Sequence, residues 1–371
     1  MDSGTVKLTP LTVFIGNNGS GKSSLIEGLW TYQETITHGL DAAMQRWLGM
    51  EHVWNRRSRH NVTGKGTDEE TYENPIRFTL RGRAFGKRFD ARMKINAESG
   101  INGMLIEQEH LELAGGRVID RDRDDVEHDG QDRKRAEPSG IVNTGESCAP
   151  YDFKLLVASW QFMCLNPAAM GLPVPQKMTR GTAMLNPDGS NLAQYLWEIR
   201  NTDVTAFAGI VEAMQTVLPY TSDFQPNITR EVQRTLFVQM TEGKFKIPGW
   251  LMSTGTMRIL ALLAVLRKPD PAPVIVIEEL ENGLDPRTIH LIVDEIQAAV
   301  QSGRSQVIVT THSPYLLDLL PLSSVVLCER EDGGEPVFHR PADDAEKVKW
   351  AKDFGPGQLY TMSRLSRRAG K

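Results

Sequence analysis

Cysteine is scarce: Cys148, Cys164 and Cys328 are the three in 371 residues, and no two are closely spaced. That scatter argues against a disulfide framework and against a cysteine-built zinc site. Long hydrophobic runs are missing too, since the most apolar stretch, Ile259 to Leu266, is far short of a membrane span. The opening residues Met1-Asp2-Ser3-Gly4-Thr5 offer neither the basic nor the apolar region of a secretory signal. Neither sign of charge dominates: 42 Lys and Arg stand against 47 Asp and Glu, a net −5. Any contact with nucleic acid or an acidic membrane must therefore come from a local patch. Together these absences predict a cytoplasmic protein with no membrane partner. There is also no internal repeat and no long heptad arm. What is present, 40% hydrophobic and 24% charged residues, is ordinary for a globular chain long enough for more than one lobe.

The most informative segment is Gly16-Asn17-Asn18-Gly19-Ser20-Gly21-Lys22-Ser23, placed between the apolar run Leu11 to Ile15 and the helix-like Ser24-Leu25-Ile26-Glu27-Gly28-Leu29. Strand, glycine-rich loop and helix start form the context that a phosphate-binding P-loop requires. The glycines let successive backbone N–H groups turn towards one anion, a path a Cβ would block. Lys22 can reach the terminal phosphates of a nucleotide, and the Ser23 hydroxyl can join a Mg2+ shell. The helix N-terminus adds unpaired N–H groups at the same point. A plain glycine turn before a surface lysine is the weaker reading of this pattern.

Further along, Ile76 to Leu80, Phe89 to Ile95 and Ile106 to Leu113 alternate between glycine turns and read as antiparallel strands. Residues 117–147, rich in Arg, Asp, Glu and Gly, read as a solvated or disordered excursion. Helical patterning returns from Phe153, with amphipathic stretches at 191–199 and 204–218, and Val232 to Met240 alternates as a strand.

Three features after residue 250 bear on a nucleotide. Pro273-Val274-Ile275-Val276-Ile277-Glu278-Glu279 is an apolar strand that ends in two carboxylates. In a parallel sheet those carboxylates would sit at the ligand-binding edge, one holding Mg2+ and the next orienting the attacking water. Val307 to Thr311 is a second such strand, and His312 at its tip could donate a hydrogen bond to a terminal phosphate. Ser253 and Gly255 open an apolar helix from Thr256 to Arg267, whose free N–H groups make a second anion site.

The order of these parts resembles the ABC-type ATPase heads of the SMC, RecF and OLD group. The segment Leu185-Asn186-Pro187-Asp188-Gly189-Ser190-Asn191-Leu192 resembles one in compact bacterial ATPases near the OLD proteins. The resemblance implies an α/β fold: a P-loop NTPase head with a mixed central sheet, an antiparallel β subdomain and an inserted helical subdomain. It implies ATP and Mg2+ as cofactors, with residues Gly16 to Ser24 (Gly16, Asn17, Asn18, Gly19, Ser20, Gly21, Lys22, Ser23 and Ser24) on the nucleotide. Ser23 and Glu278 would hold the metal, Glu279 would be the catalytic base and His312 the switch histidine. Ser253 and Gly255 would be the signature reaching the nucleotide of a second head, and Asp285 the dimer-facing loop aspartate. The expected domains are 1–150, with the P-loop and the β subdomain; 151–240, helical; and 241–371, with the signature, double carboxylate, switch histidine and basic tail.

Several positions depart from the family's pattern. Glu278 stands where aspartate is usual, which moves the carboxylate by about 1.5 Å. Leu280 replaces a common proline, and Ser-Thr-Gly-Thr at 253–256 is unlike a transporter motor. Gln161 is the candidate for the glutamine that completes the Mg2+ shell.

The resemblance implies an ATP hydrolase that dimerises, or assembles further, around ATP. It would control a separate effector such as a nuclease or toxin, in bacterial anti-phage defence or DNA maintenance, because the chain has no nuclease-like acidic cluster after the last strands. The alternative is a slowly hydrolysing, RecF-like clamp or sensor that binds DNA or a protein. Arg56, Arg57 and Arg59 near Trp47 and Trp54, and Arg364, Arg367, Arg368 and Lys371, are the candidate phosphate contacts for DNA.

Overall fold

The computed structural model describes residues 4–49, 53, 75–84, 86–98, 103–114, 116–122, 125–128, 131–134, 149–176, 184–229, 234–330 and 334–366. In chain order the first elements are β1 (Leu11–Gly16), α1 (Lys22–His38), α2 (Leu40–Gln45) and β2 (Ile76–Ala84). Then come β3 (Lys87–Glu98), β4 (Gly103–Leu113), β5 (Gly116–Asp122), β6 (Asp125–His128) and β7 (Gln131–Lys134). The middle carries α3 (Ala149–Ala158), β8 (Gln161–Met163), α4 (Pro167–Met170), β9 (Val174–Pro175), α5 (Leu192–Thr202) and α6 (Val204–Val217). Next are β10 (Thr221–Ile228), β11 (Thr235–Glu242), β12 (Phe245–Pro248), α7 (Thr254–Leu266), β13 (Val274–Ile277) and α8 (Pro286–Gln301). The chain closes with β14 (Gln306–Thr311), α9 (Pro314–Asp318), β15 (Val325–Arg330), β16 (Pro336–His339), α10 (Ala345–Trp350) and α11 (Pro356–Thr361).

The chain divides into two compact units, at Ser23/Ser24 and at Ser159/Trp160. The first, mainly residues 24–159, holds an antiparallel meander in the order β2-β3-β4-β5-β6-β7. Ile95, Ile106 and Leu111 form part of its buried side, with Ile26, Tyr32 and Ile36 of α1. The Tyr32 ring meets Phe78 at 5.6 Å, and Phe89 meets Phe153 edge-on at 5.3 Å. Part of the excursion expected to be solvated is strand instead. Residues 116–122, 125–128 and 131–134 extend the meander as β5, β6 and β7, whose antiparallel ladders hold charged residues in register. Polar composition alone does not preclude strand where one sheet face stays wet. Residues 135–148 lie outside the described residues.

The second unit contains residues 3–23 and everything from Trp160 onwards. Its main sheet runs β16-β15-β1-β14-β13-β8, parallel throughout except for the antiparallel edge strand β16. The central strands are continuous apolar runs, as burial on both faces demands: Val13, Phe14, Ile15, Ile275, Ile277, Val307 and Val309 are all at most 1% exposed. A second, antiparallel sheet joins β10, β11 and β12, with β9 on β11. Helix α7 is apolar all round and buried from Thr256 to its end, the pattern of a helix inside a core.

Two expected boundaries change. The P-loop strand β1 belongs with the C-terminal body rather than with a 1–150 lobe, because both its hydrogen-bonded neighbours are C-terminal strands. The 151–240 region is not simply a helical insert: β8 extends the main sheet against β13, and β10 and β11 build the antiparallel one.

Candidate functional site

Strands β1, β14 and β13 run parallel and side by side, so the segments that follow them leave the same edge of the sheet. These are the glycine loop, the His312 turn and the Glu278–Asp285 loop. In open α/β sheets that carboxyl edge is where ligands bind.

The loop has the shape that a phosphate cradle needs. A Cβ on Gly16 would lie 2.1 Å from the Cys328 carbonyl oxygen, so only glycine lets β1 turn beside β15. Gly19 and Gly21 have φ of 74° and 104°, a left-handed backbone that glycine adopts without strain. Ser20 N–H closes the turn on Asn17 O at 3.1 Å. Asn18 is exposed, and Ser23 and Ser24 open α1 with exposed side chains. The ammonium of Lys22 folds back over the loop, donating to Gly16 O at 2.7 Å and Asn17 O at 3.0 Å, with Ser20 Oγ at 3.5 Å. Burial holds its pKa below the usual lysine value, while Cys328, Glu279 and Glu281 pull it the other way. Two residues not singled out in the sequence brace the loop from outside. Arg330 Nε donates to Gly19 O, and Tyr360 Oη donates to Asn17 Oδ1 at 3.4 Å.

The double carboxylate stands on a bent backbone. Glu278 N–H donates to Met163 O at 3.0 Å, carrying the β8 pairing to the end of β13. Glu279 then adopts φ of 46°, uncommon for a residue with a side chain, and its carboxylate is exposed. Three hydrogen bonds fix that turn: Glu279 N–H to Thr310 Oγ1 at 2.9 Å, and Arg258 Nη2 and Asn282 N–H to Glu279 O at 3.1 and 3.0 Å. On the side chain, Asn282 Nδ2 donates to Oε2 at 3.3 Å, and Oε1 has no hydrogen-bond partner among the described residues. Leu280 uses an N–H that the usual proline would lack, donating to Thr310 O at 3.2 Å. Glu281, unnoticed in the sequence, accepts from Thr311 Oγ1 at 2.8 Å and from His312 N–H at 2.6 Å. The His312 ring is exposed and makes no hydrogen bond among the described residues.

Ser253 caps α7, accepting from Thr256 N–H at 3.1 Å and sharing a hydrogen bond with the Thr256 hydroxyl at 2.8 Å. It is exposed, and Gly255 passes so close to the next loop that a Cβ there would meet Gly283 O at 2.8 Å. One turn on, the buried guanidinium of Arg258 ties the helix to Leu165 O at 3.1 Å as well as to Glu279 O. Asp285 N-caps α8 through Arg287 N–H, Thr288 N–H and the Thr288 hydroxyl. That hydroxyl first, then the two N–H groups, hold its carboxyl below the ordinary range.

Gln161 does not fill the place expected of it. Its side chain is buried inside β8, and Nε2 donates to Phe162 O at 2.9 Å and Leu185 O at 2.8 Å, so it serves the fold. Trp47 is likewise engaged, with Nε1 donating to Thr31 Oγ1 at 3.1 Å. Arg364 lies 5.2 Å from the Trp350 ring centroid. Trp54, Arg56, Arg57, Arg59, Arg367, Arg368 and Lys371 lie outside the described residues.

The glycine loop with its lysine, the paired carboxylates and the strand-tip histidine follow three neighbouring parallel strands, an arrangement suited to a phosphate-bearing ligand. Residues 192–318 match the family model described as "AAA domain, putative AbiEii toxin, Type IV TA system". The chain is also similar to solved SMC heads. It shares 17% identity with the SMC head bound to the C-winged helix domain of ScpA, covering 93% of this chain and 94% of that one, at a TM-score of 0.49. The Thermotoga maritima SMC head shares 12% over 91% of this chain and 92% of its own, at 0.42. The SMC head with an extended coiled coil, bound to the C-terminal domain of ScpA derived from Pyrococcus furiosus, shares 14% over 94% of each chain, at 0.46. No curated protein matches the chain.

Proposed function

We propose that this chain binds ATP with Mg2+ at Gly16 to Ser24, hydrolyses it through Glu279, and does so as an ATP-linked dimer that controls a separate effector. The observation that carries this reading is the exposed Glu279 carboxylate on a strained, triply anchored turn at the sheet edge that also bears Lys22. A general base needs one oxygen free to accept a proton, and Oε1 meets that need. Bound Mg2+ would neutralise developing phosphate charge, with the Ser23 hydroxyl and the Glu278 carboxylate as the donors this chain offers. The fit is chemical: both are oxygen donors, as a hard cation prefers.

Lys22 already faces two carbonyls, so phosphate oxygens replace one set of acceptors by another and its ammonium stays paired throughout. His312 donates to the terminal phosphate from the tip of β14. Ser253 and Gly255 of the partner subunit approach that phosphate from the opposite side, and the Asp285 loop faces the partner. The second component is a nuclease or toxin in anti-phage defence or DNA maintenance. The family description, which names a putative toxin of a type IV system, is in keeping with such a pairing.

Steady-state turnover with Glu279→Gln tests the reading. The variant is expected to bind ATP normally and to lose about 100-fold to 10,000-fold in turnover. Turnover equal to the unsubstituted chain would remove Glu279 from the chemistry.

A further inference from the structure

We infer that Glu281 is the positioning residue for the switch histidine, an inference that rests on the function proposed above. Glu281 lies two residues beyond Glu279 on the loop after β13. Both its oxygens reach across to the tip of β14, one to the Thr311 hydroxyl at 2.8 Å and one to His312 N–H at 2.6 Å. Thr311 Oγ1 in turn accepts from Ser313 N–H at 2.9 Å, so the network covers all three residues of the turn. A carboxylate is an acceptor-only group with two equivalent oxygens, which suits two donors arriving from one strand end. Such charge-assisted bonds are short and strong.

The His312 ring makes no hydrogen bond among the described residues, so the peptide that bears it is what the chain holds in place. Glu281 therefore acts through His312 and does not itself touch the nucleotide. It also joins the loop of the proposed base to that of the proposed switch. Thr310 reinforces the seam by accepting from Glu279 N–H and Leu280 N–H. A glutamine at 281 keeps one acceptor and turns an amide N–H2 towards the other donor, so it restores half of the arrangement.

A double-mutant cycle on the full chain reads this out, with kcat and KM for ATP measured in Glu281→Ala, Glu281→Gln, His312→Ala and the Glu281→Ala/His312→Ala pair. Glu281→Ala is expected to lower kcat by about 10-fold to 100-fold with KM within about threefold, the signature of a misplaced group. Glu281→Gln should recover part of that loss. In the His312→Ala background, Glu281→Ala should change kcat by less than about twofold, because the two act as one unit. Thr311→Val, which removes one donor to Glu281 together with the acceptor of Ser313 N–H, stands in for Glu281→Ala if that variant does not fold. An undiminished loss in the His312→Ala background, or KM rising in step with the fall in kcat, would overturn the inference alone. Absence of turnover in the unsubstituted chain would overturn the proposed function and this inference together.

Discussion

Lys22 is paired with Gly16 O and Asn17 O of its own loop, a polar environment that keeps a nearly buried ammonium satisfied before any phosphate arrives. Removing it leaves those carbonyls in place and takes away the cation proposed to meet the phosphates. Lys22→Ala is therefore expected to raise the dissociation constant for ATP by about 100-fold, or about 3 kcal/mol, while the fold is kept. Titration calorimetry would detect this, and an unchanged constant would contradict the role. The lysine was legible in the sequence because its whole context, strand, loop and helix start, lies within about twenty residues. Glu281 and Arg258 were not. Their partners are at Thr311, His312 and Leu165, tens of residues away, and no local spacing encodes them. The one clue to Arg258 was chemical: a charge inside a helix that is apolar all round must find buried acceptors.

At the scale of elements, the caps fix where helices begin. Asp285 was expected on the dimer-facing loop, and its carboxylate accepts three hydrogen bonds at the start of α8. Its pKa is lower in the folded chain than in the unfolded one, so the unfolded state binds the proton more readily. Its contribution is thus complete above the ordinary carboxylate range and is lost as pH falls through the depressed value. Asp285→Ala is expected to cost about 1 kcal/mol at neutral pH, seen as an earlier urea midpoint, and the difference should shrink in strong acid. A gap that stays constant down to the acid end would mean that the charge is irrelevant to the cap. Helices and long strands were legible from their periodicity. Strand β8 was not, because Gln161-Phe162-Met163 is too short to show alternation and its pairing with β13 crosses more than a hundred residues. For the same reason the parity of Gln161, inward rather than towards the sheet edge, could not be read.

At the scale of the molecule, the sheet of the second unit joins distant parts of the sequence. Strand β1, near the start, lies between two strands from the last third, and Gln306 Nε2 reaches Thr9 O at 2.9 Å. The site edge thus joins the glycine loop near the start to two segments that come more than about 250 residues later, which is why its motifs could be listed in order from the sequence but their geometry could not. No helix among the described residues is long and apolar enough to cross a membrane. On the function proposed, each chain offers one glycine loop and, on the exposed cap of α7, one serine for the nucleotide of a second chain. That asymmetry makes a prediction about mass. The most direct test is light scattering on Glu279→Gln, with and without ATP and Mg2+. The predicted result is the mass of one chain without nucleotide and of two chains with it, the shift being lost when Ser253 is also replaced by arginine. A single-chain mass at saturating ATP would contradict the shared site.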